Sequence, residues 1–167
     1  MFTPSQTGNT FVPPSSPSPN LQTFLAYCDA LNHWDYDKVM AVFDETLEHR
    51  ILPKSLGRPV LNKAQYSAYF AGVMPLFKRL HITLHEVVEA KDVITVHATS
   101  TGESATGVPY LNESMLILHF APPKDGGDGL PKICFVKEYM DSATVLKFFT
   151  EERAKAAKAA AQAGTTA

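Results

Sequence analysis

Cysteine is scarce in this chain, since only two of its 167 residues are cysteines. Cys28 and Cys134 cannot supply a disulfide framework or a cysteine-rich zinc site, because both need several thiols. We therefore expect two buried thiols of the kind found in a reducing compartment.

The sequence also lacks an excess of charge of one sign and any long apolar run. Its net charge is −2 and no segment forms a basic stripe, which argues against a nucleic-acid partner. No stretch approaches the roughly 18 uninterrupted apolar residues of a membrane span. The first residues, MFTPSQTGNT, have neither the basic nor the apolar region of a secretory signal. These absences predict a cytoplasmic protein without a membrane partner.

Several signatures of catalysis and binding are missing as well. The segment GGDG lies in a polar turn and not between a strand and a helix, so no phosphate-binding loop is predicted. The Ser, Cys and His residues form no nucleophile elbow and no Cys–His pattern, which leaves covalent acyl chemistry unsupported. The histidines lack the tight spacing of zinc ligands, and we expect no metal site.

Composition divides the chain into three segments. Residues 1–19 are rich in Pro and Ser, show no periodicity and predict a flexible arm. Residues 20–150 carry the apolar patterns of one folded domain. Residues 151–167 are Ala-rich, with Thr150 as the expected N-cap, and predict a C-terminal helix that ends in a tail.

Helical spacing dominates the first half of the domain. Asn20, Asp35 and Asn62 are the expected N-caps of three helices, because each precedes apolar residues spaced by three and four. The second of these helices is expected to include Phe43. Between the second and third helices, LEHRILPKSLGRP (47–59) predicts one strand that runs into a loop.

Four strands are predicted after the third helix, because β-branched and aromatic residues are frequent there. They are HITLHEVVEA (81–90), DVITVHATSTG (92–102), YLNESMLILHF (110–120) and KICFVKEYM (132–140). Their short links predict antiparallel hairpins. The resulting order, α-α-β-α-β-β-β-β with an extra C-terminal helix, is an α+β fold in which helices cover one face of a strongly curved sheet.

Four segments carry a resemblance to a known family: NHWDYDKVMAVF, EHRILPKSLG, TGESATGVPYLNESMLILHF and KICFVKEYMDS. Over about residues 20–150 the chain resembles the SnoaL-like proteins of the nuclear transport factor 2-like superfamily, in particular the fungal members. The resemblance implies a cone-shaped α+β barrel around a deep apolar pocket, often in a homodimer. It also implies a small hydrophobic oxygenated substrate and chemistry without a metal or an organic cofactor.

Glu138 and Asp141 are the leading candidates for catalysis. Their odd spacing puts them on opposite faces of a regular strand, unless the strand ends or bulges between them. Three residues share the strand face of Glu138: Cys134, Val136 and Met140. A carboxylate on so apolar a face needs a partner or a raised pKa, whether its role is catalysis, a structural hydrogen bond or a dimer contact. Asp141 precedes the helical SATVLKFF and can be an N-cap, a pocket acid as the resemblance implies, or both.

Four other polar residues are further catalytic candidates. His49 could shuttle a proton near neutral pH, or be structural. Arg50 could hold an oxyanion or pair with a carboxylate, or form a surface ion pair. Asn112 could orient a carboxylate, hydrogen-bond a substrate oxygen, or satisfy backbone groups at a strand end. The resemblance to scytalone dehydratases suggests that His85, together with His97, could hold a water molecule.

Aromatic and apolar side chains are expected to contact the substrate. The candidates are Tyr27, Trp34, Tyr69, Phe70, Phe77, Met115 and Tyr139. For those on helices the alternative is ordinary core packing. Tyrosines suit a pocket best, because a buried hydroxyl needs a hydrogen-bond partner. If the face opposite Glu138 points inward, Tyr139 and Asp141 become the pocket pair.

The leading hypothesis is an isomerase, cyclase or dehydratase of secondary metabolism. One carboxylate, Glu138 or Asp141, would move a proton of a polyketide- or terpenoid-type molecule, while a neighbouring donor stabilises the oxyanion. The alternative is a non-catalytic ligand-binding or dimeric interaction module of the same fold.

Overall fold

The computed structural model describes residues 10–123 and 129–164. Residues 1–9 of the predicted arm, residues 124–128 of the predicted turn and residues 165–167 of the predicted tail lie outside the described residues. The helices are α1 (Pro19–Asn32), α2 (Tyr36–Ala41), α3 (Lys63–Val73) and α4 (Ser142–Gly164), with short 3-10 helices at Lys54–Leu56 and Met74–Leu76. The strands are β1 (Phe43–Leu52), β2 (Phe77–Ala90), β3 (Val93–Ser104), β4 (Pro109–Ala121) and β5 (Lys132–Met140). The predicted α+β order is confirmed.

Two of the predicted helix starts are confirmed and one is wrong. Asp35 accepts a hydrogen bond from the Lys38 amide, and Asn62 forms a capping box at the start of α3. The first helix begins before the expected Asn20, because Pro19 suits the first helical position and the Ser18 hydroxyl accepts from the Leu21 amide at 3.1 Å.

Two further boundaries differ from those that the sequence predicts. Phe43 begins β1 and does not end α2, because it pairs with Ile133 of β5 far along the chain. Thr150 is not an N-cap but lies inside α4, whose start is capped by Asp141. The spacing of apolar residues within one segment carries no information about pairing with a distant segment. This explains the wrong assignment of Phe43 to the helix.

The five strands form one curved, mixed sheet in the order β1-β5-β4-β3-β2. β1 runs parallel to β5, and the other neighbouring strands are antiparallel. The sheet is not closed, since β1 and β2 are its edges. Register shifts fall at Cys134 in β5 and at His85 in β2. Such bulges bend the strands and change which residues face the helices.

The two faces of the sheet have different surroundings. The inner face, which carries Ile94, Val96, Leu118 and Val136, packs against α1 and α3 in the main core. The outer face is exposed in the single chain, and its apolar residues are among those most accessible to water. They are Val88, Leu111, Met115 and Tyr139.

The first two turns of α4 close one end of the inner face. Phe148 stacks on Phe77 with ring centroids 5.2 Å apart and lies 4.7 Å from the Tyr110 ring. One turn later, the buried carboxylate of Glu152 accepts hydrogen bonds from the Thr106 hydroxyl and the Lys155 ammonium, each at 2.7 Å. These contacts fasten α4 to the turn between β3 and β4.

Part of the predicted arm contacts the sheet. The Phe11 amide donates to the Leu84 carbonyl at 2.9 Å, and the Phe11 ring packs against the main core. The Ser18 hydroxyl donates to Glu89 at 2.5 Å. The division of the chain into residues 1–19, 20–150 and 151–167 stays a prediction.

Candidate functional site

Glu138 lies on the inner face of β5. Val136 and Glu138 alternate regularly along β5 and both point toward the helices. Cys134 is the bulged residue of this strand and falls outside that alternation. The Glu138 side chain keeps 28% of its surface accessible, yet burial raises its pKa from 4.5 to about 7. No described residue donates a hydrogen bond to its carboxyl group. This carboxyl can therefore gain or lose a proton near neutral pH.

His49 is the polar side chain beside Glu138. It lies on the inner face of β1, is 1% exposed, and its Nε2 is 3.6 Å from Oε2 of Glu138. Burial lowers the pKa of His49 to about 3, so the imidazole is neutral at physiological pH. Its Nδ1 is buried without a hydrogen-bond partner among the described residues.

Four tyrosines from three elements lie near enough to Glu138 for its charge to act on their hydroxyls. They are Tyr27 of α1, Tyr66 and Tyr69 of α3, and Tyr110 of β4. Burial raises the pKa of each hydroxyl, and the negative charge of Glu138 raises it further. All four therefore stay protonated and can donate hydrogen bonds.

The four hydroxyls are not equivalent. Tyr27 and Tyr66 are buried, and their hydroxyls lie close enough to influence each other. Tyr69 and Tyr110 are half-buried, and their hydroxyls have no partner within the part of the chain that the structure describes. Two free donors thus lie near a carboxyl that is itself free of hydrogen bonds. We call the group of side chains formed by His49, Glu138, Tyr66, Tyr69 and Tyr110 the recess.

Sequence reasoning did not propose Tyr66 or Tyr110 as site residues. Tyr66 lies among the helical aromatics, for which the sequence leaves both core packing and the lining of a cavity open. Tyr110 alternates with Asn112 on β4, so the signal available was that the two share a strand face. Neither spacing shows that both rings come close to a residue of β5.

Asp141 is outside the recess and caps α4. Its Oδ1 accepts from the amides of Ala143 and Thr144 at 3.1 and 3.3 Å, and its Oδ2 accepts from the Thr144 hydroxyl at 2.6 Å. These bonds, those from Thr144 first, lower the pKa of its exposed carboxyl. Asp141 is therefore ionised and engaged with a helix end.

Arg50 and Asn112 occupy different faces. Arg50 lies on the outer side of β1, where it pairs with Glu48 and stands 5.5 Å from the centre of the Phe135 ring. Asn112 lies on the inner face and is buried, and its amide donates to the Asp141 carbonyl at 3.0 Å. The structure thus places Arg50 away from the recess and uses Asn112 to hold β4 to the start of α4.

His85 lies on the outer face, on the side of the sheet opposite Glu138. Its Nε2 is 2.7 Å from the Thr99 hydroxyl, and its ring centre is 4.9 Å from that of His97. His97 in turn is 2.7 Å from Glu113. The two histidines are close together, as expected, but the sheet separates them from the recess.

The predicted substrate-contacting residues fall into three places. Tyr27 and Tyr69 lie near Glu138. Phe70 and Phe77 are buried in the core, and the half-buried Trp34 packs edge-on against both. Met115 and Tyr139 are on the outer face, 46% and 54% exposed.

A shallow depression of about 420 Å³ lies on the outer face. Its lining includes Glu86, His97, Glu113, Met115, Tyr139 and Asp141. Within residues 10–123 and 129–164, no group of three or more His, Cys, Asp or Glu side chains could hold a metal ion. None of the helices described is long and apolar enough to cross a membrane.

Comparison with known proteins adds both a family and a fold. The family model described as a SnoaL-like domain matches residues 24–127. The monooxygenase nsrS of Aspergillus novofumigatus is 28% identical over 113 residues, covering 65% of this chain and 71% of nsrS. The monooxygenase AgnL5 of Paecilomyces divaricatus is 28% identical over 130 residues, covering 77% and 74%. The crystal structure of the BvnE pinacolase from Penicillium brevicompactum matches with a TM-score of 0.69 and 25% identity, covering 83% of this chain and 96% of BvnE.

Proposed function

This chain belongs to the family of SnoaL-like domains, and we propose that it is an enzyme of secondary metabolite biosynthesis that works by general acid–base catalysis. Its substrate would be a small, hydrophobic, oxygenated molecule of polyketide or terpenoid type. The reaction would be an isomerisation, a cyclisation or a dehydration that needs no cofactor.

The observation that carries this proposal is the state of Glu138. A carboxyl with a pKa of about 7 can accept a proton from a substrate and return it in a later step at the same pH. Its oxygens are not engaged by any described hydrogen bond, and 28% of its side-chain surface remains accessible. A purely structural carboxylate on an apolar face would be expected to have its hydrogen bonds satisfied.

In the proposed mechanism, Glu138 removes a proton from a carbon or a hydroxyl group of the substrate. Electron density moves to a substrate oxygen, which accepts hydrogen bonds from the free hydroxyls of Tyr69 and Tyr110. The protonated Glu138 then returns the proton at the new position. General acid–base catalysis of this kind contributes roughly 10²–10⁴-fold to the rate.

The names of the relatives support a reaction of fungal secondary metabolism. BvnE is named a pinacolase, which indicates a rearrangement, whereas nsrS and AgnL5 are named monooxygenases. An enolate formed by this base could go on to an isomerised product or react with dioxygen in an oxygenation without a cofactor. Assays of substrate candidates with and without dioxygen would separate the two outcomes.

The decisive test is the variant Glu138→Gln, which keeps the shape of the side chain but cannot take a proton. We expect turnover of an accepted oxygenated ketone or phenol to fall by about 10²–10⁴-fold with the fold intact. The matched control is Glu113→Gln on the outer face, which should retain activity. Equal activity of the wild type and Glu138→Gln would refute the proposed base.

We further propose that the protein forms a homodimer through the outer face. The faces of β4 are both apolar in sequence, yet Leu111 and Met115 on its outer side are exposed in the single chain. Covering them in a second copy would remove this apolar surface from water. The same feature favours the second candidate function, a dimeric interaction or ligand-binding module without catalysis. A cytoplasmic location stays a prediction.

A further inference from the structure

His49 has a fixed position next to Glu138. Its amide donates to the Leu61 carbonyl at 2.8 Å, and its carbonyl accepts from the Leu61 amide at 2.9 Å. On the other side of the strand it pairs with Val136 of β5. Its ring stacks on Tyr66 with centroids 4.4 Å apart and planes at 25°. The orientation of the imidazole is therefore set by the fold.

The two ring nitrogens of His49 have different surroundings, and these favour one tautomer over the other. Nδ1 is buried with no partner among the described residues, whereas Nε2 is 3.6 Å from Oε2 of Glu138. A proton on Nδ1 would leave a buried donor without an acceptor and would turn the Nε2 lone pair toward the carboxylate. A proton on Nε2 instead directs an N–H toward the carboxylate oxygen.

We propose that His49 is the positioning residue of the recess: a neutral imidazole, protonated on Nε2, that holds Oε2 of Glu138, favours the ionised carboxylate and leaves Oε1 for the substrate proton. This role rests on the proposed function of Glu138 as the base. In this role His49 also sets the pH range in which Glu138 works as a base. At 3.6 Å the Nε2–H group acts on Oε2 of the ligand-free protein as an oriented dipole, and such contacts commonly shorten to hydrogen bonds when a ligand binds.

The other titratable groups near Glu138 do not change charge in the working range. The phenols that face it are Tyr27 of α1, Tyr66 and Tyr69 of α3, and Tyr110 of β4, all with raised pKa values. Burial raises the pKa of Cys28, next to Tyr27, to about 12. The guanidinium groups of Arg58 and Arg153 act on Tyr69, and Asp141, whose pKa is lowered, acts on Tyr110. A titration in the recess between about pH 5 and 9 therefore belongs to Glu138.

The first experiment measures the protonation of Glu138 in the ligand-free protein. The infrared C=O stretch of the protonated carboxyl is titrated, and the Glu138→Gln variant identifies its band. Burial alone raises the pKa of Glu138 to about 7, so we expect the wild-type midpoint to lie well above the ordinary 4.5. His49→Phe keeps a ring against Tyr66 but removes the donor, so the midpoint should rise by about one pH unit, a tenfold change in the ionisation equilibrium. His49→Leu, a second variant without a donor, should shift it in the same direction.

Two controls separate the donor from the bulk of the side chain. His49→Gln retains an N–H group and should keep the midpoint within a few tenths of a unit of the wild type. His97→Phe removes a histidine on the outer face and should leave the midpoint unchanged. An unchanged or lower midpoint in both His49→Phe and His49→Leu would overturn the proposal.

Nitrogen-15 NMR of the imidazole provides an independent readout. We expect the Nε2–H tautomer of a neutral ring that does not titrate between about pH 5 and 8. The Nδ1–H tautomer would overturn the proposal, because the nitrogen that faces Glu138 would then lack a proton.

With a substrate, the pH profile distinguishes positioning from proton transfer. The rising limb of kcat/KM should move up by the same unit in His49→Phe, with activity recovering toward about pH 9. If kcat/KM of His49→Phe fell by the same factor at every pH, the positioning role would be overturned. Full turnover in Glu138→Gln would refute the proposed base itself, whereas an unmoved infrared midpoint refutes only the role of His49.

Discussion

Glu138 and Asp141 are three residues apart, yet their surroundings shift their pKa values in opposite directions. Burial without a hydrogen bond raises the pKa of Glu138, whereas donors from Thr144 and Ala143 lower that of Asp141. The strand ends between them, which allows one side chain to face the helices and the other to cap α4. Two carboxylates that are close in sequence therefore have separate roles.

The raised pKa of Glu138 makes stability depend on pH. The pKa of Glu138 is 4.5 in the unfolded chain and about 7 in the folded one. Between these two pH values the folded state holds a proton that the unfolded state releases. The stabilisation from this proton is complete below the lower value and is lost as the pH rises through 7. At about pH 8 the ionised side chain thus costs the folded state on the order of 3 kcal/mol.

We therefore expect Glu138→Gln to increase the free energy of unfolding at about pH 8, by up to about 3 kcal/mol, and to leave it unchanged near pH 4. Urea denaturation at both pH values provides the measurement. The exposed Glu113→Gln should match the wild type within about 0.5 kcal/mol. If the free energies of unfolding of wild type and Glu138→Gln differed by the same amount at both pH values, the raised pKa of Glu138 would be contradicted.

Asp141 provides the complementary prediction at the same scale. Asp141→Ala removes the N-cap and should lower the free energy of unfolding by about 0.5–2 kcal/mol, while Asp141→Asn retains most of the cap. Both variants should keep activity, because the carboxylate lies outside the recess. Loss of turnover in Asp141→Asn with an unchanged melting temperature would assign it a catalytic role instead.

At the scale of elements, α4 is the segment that joins the site to the rest of the fold. Its start is fixed by Asp141 and by the bond from Asn112, and its third turn is fixed by Glu152. Between these points Phe148 packs on Tyr110, which places a hydroxyl donor at the recess. The placement of α4 thus affects the geometry around Glu138.

Glu152→Ala should release this end of α4. Its carboxylate is 2% exposed, and removing it leaves the Thr106 hydroxyl and the Lys155 ammonium without their acceptor. We expect the free energy of unfolding to fall by about 1–3 kcal/mol, and calorimetry should show a lower melting temperature. The adjacent Glu151→Ala, at an exposed position, is the matched control and should shift the melting temperature little. Equal effects of the two variants would show that Glu152 does not anchor the helix.

At the scale of the whole molecule, the curved sheet has two unlike surfaces. The inner face packs against the helices and includes the recess. The outer face carries exposed apolar residues together with the His85, His97 and Glu113 cluster. This separation is the reason that the residues predicted as one site divide between opposite sides of the sheet.

The homodimer proposal predicts that a charge on the outer face disrupts self-association. Tyr139→Asp should raise the dimer dissociation constant by at least about tenfold, because an ionised side chain would have to be buried in the interface. Sedimentation velocity over a concentration series measures it. Val60→Asp, on a loop with comparable exposure, should have no effect. A wild type that sediments as a monomer at every concentration would contradict the proposal.

The sequence by itself determined the features that depend on neighbouring residues. Asp35 and Asn62 cap their helices through amides three residues away, so local spacing was enough to predict them. The order of helices and strands was predicted for the same reason, since periodicity is read within one element. The resemblance of about residues 20–150 gave the family that the matched model then identified.

The tertiary structure decided which side chains meet, because that depends on pairing between distant strands. The parallel pairing of β1 with β5 brings His49 to Glu138, and the bulge at Cys134 sets the face on which Glu138 lies. Tyr110 approaches the same carboxyl from a third strand of the sheet. A pKa near 7 results from this enclosure by distant parts of the chain, since desolvation is a property of the folded surroundings and not of the local sequence.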